Sequence, residues 1–150
     1  MAALLQRDGK LFAGGRSRFL DSDGGEEPTP KIFVKVLPGD APVPLLAQLD
    51  TGAAWSVLDG EIADALGFLE QAGPSVSLST RSGTVRGKLI RASLTLVADE
   101  GESYQVEATL FVSRDWTHGN FLGYAGFLER IRFAVDPERN DFYFGATSER

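Results

Sequence analysis

At 150 residues the chain fits a single domain, since domains commonly run to roughly 100 to 200 residues, and its 43% hydrophobic content can supply one core. The formal net charge of -6, with no dense Lys and Arg cluster, argues against nucleic acid as a partner, because the chain would repel a phosphate backbone. The absence of cysteine excludes a disulfide, a thiol nucleophile and a zinc ribbon.

The opening Met1-Ala-Ala-Leu-Leu-Gln-Arg-Asp-Gly-Lys10 meets charge before an apolar stretch of signal-peptide length can form. No run approaches the ~20 residues that span a bilayer. The expectation is a soluble, cytoplasmic protein with no membrane partner. Residues 1–30 read as an N-terminal lead-in, a hairpin plus loop. Asp8-Gly9 between Ala2–Leu5 and Leu11–Ala13 has the composition of a tight hairpin turn, whereas Gly14-Gly15, Asp21-Ser22-Asp23-Gly24-Gly25 and Pro28-Thr29-Pro30 are loop-like.

The domain proper is placed at 31–150. Ile32-Phe-Val-Lys-Val-Leu37 is rich in β-branched residues and closed by Pro38-Gly39-Asp40, a strand followed by a turn. A second strand, Val43-Pro-Leu-Leu-Ala-Gln-Leu49, runs directly into Asp50-Thr51-Gly52. Ala53 to Leu58 follows, and then Asp59 to Gly67, with an N-cap candidate, helix formers and a terminal glycine, reads as a short helix. Beyond it the chain is strand-like: Val76 to Thr80, a turn at Arg81-Ser82-Gly83, Thr84-Val85, Leu89–Leu96 and Tyr104–Val112. Alternation in Ala92-Ser-Leu-Thr-Leu-Val97 is that of a half-buried antiparallel strand. A second short helix is expected at Gly126 to Ile131, and Asp141-Phe-Tyr-Phe-Gly145 reads as the last strand. The sum is a mainly β, barrel-like fold with two helical turns.

Hydrolysing a peptide bond without a covalent intermediate needs a base to take a proton from water and an acid to give one to the amide. Two carboxylates sharing one proton do both. A strand that ends in a tight Asp-Thr-Gly turn can hold such a carboxylate on rigid backbone. The tripeptide alone more often marks an ordinary turn. Here, however, Ala47-Gln-Leu-Asp50-Thr51-Gly52-Ala53-Ala54-Trp55-Ser-Val-Leu58, followed by a helix ending in Ala65-Leu66-Gly67, resembles the active-site loop of the retropepsin-like aspartic proteases, particularly their small bacterial members. Phe121-Leu122-Gly123 and the residues on to Pro137 resemble the same family's hydrophobic-hydrophobic-glycine motif, helix and last strands. Two ordered motifs with a β-rich middle are more specific than either alone.

The resemblance implies a retropepsin-like closed barrel of acid-protease type, with one or two short helices and one lobe per chain. It implies a catalytic Asp50-Thr51-Gly52 and a Leu122-Gly123 segment that passes behind and supports that loop. It also implies a flap, for which Val76 to Leu89 with Arg81-Ser82-Gly83 at its tip is the candidate; the same residues would also suit an ordinary hairpin. Ala53, Ala54, Trp55, the flap tip, Leu122 and Gly123 are the expected substrate-binding positions. No cofactor or metal is implied, and the substrate is a peptide or protein.

Only one Asp-Thr-Gly is present, and Phe121-Leu122-Gly123-Tyr124 contains no acid. The second carboxylate therefore has to come from a second chain, which a homodimer with twofold symmetry supplies. Phe142-Tyr143-Phe144 is a candidate interface strand, or equally a core edge strand of one subunit. The function expected is an aspartic endopeptidase; the alternative is a non-catalytic dimeric peptide-binding module of the same fold. Self-processing from a larger precursor is a third option. Asp99, Asp115, Asp136 and Asp141 lie in turn-like or charged contexts that suit solvated surface roles. His118 is the sole histidine and reads as a loop residue, since a lone imidazole without an HExxH pattern does not make a metal site.

Two departures from the family pattern bear on chemistry. Ala54 stands where Ser or Asp is common, removing a polar contact near the substrate backbone. Ala53, as in retropepsins, stands where pepsin-like enzymes carry a serine whose hydroxyl donates to the carboxylate. Loss of a donor to the ionised form raises the pair's pKa values. Activity should therefore reach to milder acidity than that of pepsin-like enzymes; a rate profile peaking only in strong acid would contradict this.

Overall fold

The computed structural model describes residues 6–21 and 31–147. In chain order it contains β1 (Gln6–Arg7), β2 (Lys10–Leu11), β3 (Gly15–Arg18), β4 (Phe33–Pro38), β5 (Leu45–Leu49) and β6 (Ser56–Val57), followed by helix α1 (Gly60–Ala65). There follow β7 (Ser75–Thr80), β8 (Gly83–Leu96), β9 (Glu100–Gly101), β10 (Tyr104–Val112), β11 (Phe121–Leu122), β12 (Ile131–Asp136) and β13 (Asp141–Ala146). Single 3-10 turns occupy Phe68–Glu70 and Leu128–Arg130. The expected strand at Ala2–Leu5 and the expected loops at Gly24-Gly25 and Pro28-Thr29-Pro30 lie outside the described residues.

Six strands close on themselves in the order β10, β6, β11, β5, β4 and β8, the last pairing again with β10. Closure leaves those strands no open edge. The longest seam is antiparallel, Tyr104 through Val112 against Leu96 through Lys88. Val34 and Val36 of β4, Ala47 of β5, Leu94 and Leu96 of β8, and Ala108 and Leu110 of β10 alternate into the barrel and are fully buried. Helix α1 starts where Asp59 Oδ1 accepts from the Glu61 amide at 3.0 Å, a side-chain N-cap, and the chain leaves it through Gly67 in the left-handed region at φ 76°.

Strand β8 is continuous over 14 residues, although its sequence predicts separate pieces at Thr84-Val85 and Leu89–Leu96. The cause is a change of buried face. Val85 and Leu89 pack on one side against Val57, Phe111 and Trp116, whereas Ile90, Ala92, Leu94 and Leu96 point to the main core on the other. The changeover falls at the adjacent apolar pair Leu89-Ile90, where simple alternation breaks down.

A four-stranded sheet, β12-β13-β3-β9, packs Phe142, Phe144 and Ile131 into the same main core. Residues 13–20 belong to this body: Ala13 and Phe19 are buried, and β3 pairs with β13 from Arg18↔Asp141 to Gly15↔Phe144. Phe142-Tyr143-Phe144 is thus not an interface strand. It is hydrogen-bonded within the chain to β12 on one side and β3 on the other, and Phe142 and Phe144 are 0% exposed. Gly126 to Ile131 is likewise not a helix beyond the one 3-10 turn. Gly126 takes φ +80° and its amide is held by Glu129 Oε2 at 2.5 Å, so no helical repeat can start before the chain turns into β12.

Charge ties this sheet together. Arg16, with a side chain 14% exposed, bonds Asp141 Oδ1 at 2.6 Å and Glu100 Oε1 at 2.5 Å, which joins β3 to β13 and β9. The bond to Asp141 raises the guanidinium's pKa above its ordinary value against the opposing effect of burial. Asp99 performs a similar function between β3 and β4: it accepts from the Arg18 amide at 2.7 Å and from the Lys35 ammonium. Burial disfavours its ionised form, but the Lys35 and Arg18 bonds outweigh this and hold the carboxyl below the usual 3.8. A carboxyl lowered on folding contributes stability above its unfolded value, and that contribution is lost as pH falls through the folded value. The pair is about one-third exposed, so its contribution is about 1 kcal/mol or less. In thermal melts from pH 6 to pH 3, Asp99→Asn should lower Tm by a few degrees at pH 6 and by progressively less below about pH 4; an equal deficit at every pH would contradict this.

Candidate active site

Strand β5 delivers Asp50 into a turn in which the Ala53 amide donates to the Asp50 carbonyl at 3.1 Å and the Gly52 amide donates to Asp50 Oδ1 at 3.0 Å. The carboxylate is therefore aimed by its own loop. Asp50 is half-buried, Thr51, Gly52 and Ala54 are exposed, and Ala53 and Trp55 are half-buried. A Cβ on Gly52 would lie 3.4 Å from Asp50 Oδ1, an ordinary contact, so this glycine keeps the carboxylate's approach open rather than relieving a clash.

The two ends of the loop, β5 and β6, do not pair with each other. Strand β11 lies between them, parallel to β5 at Phe121↔Gln48 and Leu122↔Leu49 and antiparallel to β6 at Phe121↔Val57. The contact continues past the strand. The Asp50 amide donates to the Leu122 carbonyl at 3.0 Å, the Tyr124 amide to the Ala53 carbonyl at 2.9 Å, and the Ala125 amide to the Ala54 carbonyl at 2.9 Å. Buried Ser56 Oγ accepts from the Gly123 amide at 2.9 Å. A Cβ on Gly123 would come within 2.3 Å of the Trp55 carbonyl oxygen and 2.9 Å of that of Ala53, so only glycine permits this approach.

The hairpin of β7 and β8 has a two-residue loop, Arg81-Ser82, after which Gly83 takes φ +127°. The Thr80 hydroxyl donates to the Gly83 carbonyl at 2.8 Å and accepts from the Ser82 amide at 3.1 Å. One face of the hairpin, Val76, Leu78, Val85 and Leu89, packs in the cluster that also holds Trp55 and Phe121. Its base therefore shares apolar contacts with the Asp50 loop. Arg81, Ser82 and Gly83 are exposed and stand outside that cluster. Asp50 to Trp55 and Leu122-Gly123 are thus brought together, while the hairpin tip is not in contact with them through this cluster.

Two bracing residues escape the sequence. Ser56 looks like any strand serine until its hydroxyl is seen on the Gly123 amide. Asn120 accepts from the Asp59 amide at 2.8 Å through its side chain, donates to the Leu46 carbonyl at 3.2 Å, and accepts from the Gln48 amide at 2.8 Å through its own carbonyl. It fixes β5 and the start of α1 at once. Among the described residues there is no group of three or more His, Cys, Asp or Glu that could hold a metal ion, and no helix is long and apolar enough to cross a membrane.

No protein-family model and no curated protein sequence matches the chain. Solved structures do. A retropepsin-like aspartic protease from Rickettsia conorii superposes with a TM-score of 0.57 at 20% identity, over 87% of this chain and 98% of that one. The retroviral protease-like domain of Ddi1 from Leishmania major gives a TM-score of 0.44 at 13% identity, over 80% of this chain and 98% of that one. The first match shows that the closed six-stranded barrel described above is retropepsin-like.

Gly123→Ala should force β11 away from the loop and cost about 1–3 kcal/mol, the usual penalty of overpacking. The measurement is a denaturant titration of the variant against the parent chain; an unchanged midpoint would show that the approach is looser than the geometry indicates.

Proposed function

We propose that this retropepsin-like chain is one half of an aspartic endopeptidase, and that its active site forms when two copies bring their Asp50 side chains together across a twofold axis. The observation that carries this reading is the setting of Asp50: a carboxylate aimed by its own turn, on a loop pinned from behind by β11, with exposed residues on the open side. A single carboxylate so placed has the rigidity that catalysis needs but lacks the second group.

Pairing supplies the second group and sets the protonation state. Two carboxyls a few ångströms apart cannot both ionise readily, so they hold one proton between them. The ionised Asp50 takes a proton from water as the water oxygen bonds to the scissile carbonyl carbon. The protonated Asp50 of the other copy donates to the carbonyl oxygen, giving a neutral tetrahedral diol. The first Asp50, now protonated, gives its proton to the amine nitrogen as the carbon–nitrogen bond breaks, and the second takes a proton from a diol hydroxyl, which becomes the new carboxyl; two peptides leave and one proton is again shared. Neither a metal nor an organic cofactor takes part. Thr51, exposed beside Asp50, would hydrogen-bond across the axis to the partner loop, and Ala53, Ala54 and Trp55 would flank bound peptide. The hairpin tipped by Arg81-Ser82-Gly83 would close over it, with mobility at the tip rather than at the packed base.

Cleavage of a mixed peptide library, read by mass spectrometry over a pH series, tests the proposal. Asp50→Asn should lower turnover by at least about a thousandfold, the scale of lost general acid and base catalysis, and the activity per chain of the parent should fall on dilution as dimers dissociate. Sedimentation at the same concentrations reports the association state. A parent chain that binds peptides without cutting any would favour the binding module, cleavage confined to its own flanks would favour self-processing, and full activity as a strict monomer would refute the shared site.

A further inference from the structure

On β5 the side chains of Leu46 and Gln48 lie opposite the inward-facing Ala47, on the outer surface of the barrel, and Asp50 is the next residue in that alternation. Gln48 is in register with Phe33 of β4 on one side and with Phe121 of β11 on the other, which sets three side chains in a row across neighbouring strands. A recess of about 280 Å³ opens over this row, bounded by Lys31, Leu46 and His118. At a rise of roughly 3.3 Å per residue, Gln48 lies about 7 Å along the strand from Asp50, a distance spanned by two residues of an extended peptide.

The recess has a distinct chemistry. Phe33, Phe121 and the 40% exposed Leu46 give it apolar surface, with the amide of Gln48 between the two phenyl rings. His118 stands on the wall, its ring edge-on to Trp116 at 5.0 Å. Among the described residues, Lys31, exposed, is the one fully charged residue lining it. A recess whose one fully charged residue, among those described, is a lysine, over a row that lies two residues along β5 from the candidate catalytic carboxylate, selects for negative charge.

We propose that this recess receives an acidic side chain of the substrate peptide, glutamate or aspartate, about two residues from the bond that is cut. The methylenes lie on the phenyl rings of Phe33 and Phe121, and the carboxylate meets the Lys31 ammonium and an N–H of His118. The inference rests on the endopeptidase reading for the direction of the peptide, but the charge selection belongs to the recess itself and can be read separately.

Two arms test it. In the first, cleavage products of a mixed library are scored for enrichment of Glu or Asp at a fixed offset from the cut. Matched peptides carrying Glu, Gln or Lys at that offset should then differ, with Glu favoured over Gln about fivefold in kcat/KM, the scale of one exposed ion pair. Lys31→Ala should remove the difference and Lys31→Glu should reverse it in favour of Lys, with circular dichroism confirming that both variants fold. In the second arm, the same peptides are titrated against Asp50→Asn, and Glu should again bind about fivefold more tightly than Gln. Cleavage without acidic preference, or a preference indifferent to Lys31→Glu, would overturn the recess assignment and leave the endopeptidase standing. Acidic preference in binding without cleavage by the parent chain would support the recess and overturn the endopeptidase. Neither cleavage nor charge-selective binding would overturn both.

Discussion

Insertion of the two-residue strand β11 between β5 and β6 is the constraint on which the rest of this molecule depends. Without it, the ends of the Asp50 loop would be free to pair with each other, and the loop would become a hairpin tip with its carboxylate on mobile backbone. With it, the loop is held over residues 122–125 by the Asp50 amide and the Ala53 and Ala54 carbonyls. The approach requires that position 123 carry no side chain, because the space a Cβ would fill is taken by the Trp55 and Ala53 carbonyls. Ser56 adds a buried hydroxyl to the one amide that the strand pairing leaves over.

The barrel that supports this insertion has two apolar clusters rather than one. The larger fills the barrel and the space beneath the four-stranded sheet; the smaller, around Val57, Phe111 and Trp116, couples the β7–β8 hairpin to the Asp50 loop through Trp55. Strand β8 serves both by burying one face in its first half and the opposite face in its second. Gly87 allows the hairpin to come close to β10, since a Cβ there would lie 2.4 Å from the Val112 carbonyl oxygen. The hairpin is thus anchored at its base and exposed at its tip, a distribution suited to an element that moves at one end only.

Ionic contacts tie the smaller sheet together and to the barrel. Arg16, Asp141 and Glu100 join three strands of the smaller sheet, and Asp99 joins β3 to β4 through Arg18 and Lys35. These bonds hold residues 15–18 to the body of the domain, where composition alone suggests a loose leader.

Local patterns determined much of this from the residues alone. Ala92-Ser-Leu-Thr-Leu-Val97 alternates within β8 and Tyr104–Val112 is the strand predicted, Asp59 and Gly67 mark the ends of the α-helix found among the described residues, and Asp8-Gly9 forms its left-handed turn at φ 53° and 76°. Asp50-Thr51-Gly52 and Leu122-Gly123 stand out by the resemblance of their surroundings to the retropepsin-like active-site loop and glycine motif. Tertiary structure alone decided what depends on partners distant in sequence. The two-residue strands β6, β9 and β11 carry no period to detect, the break at Leu89-Ile90 conceals a continuous strand, and Phe142-Tyr143-Phe144 could be an edge or a centre until β3 is seen beside it. The recess along Gln48 comes from three separate segments of chain, so no window of sequence contains it. Alternation and capping are read over a few neighbouring residues, whereas register and enclosure are set by which distant strands meet.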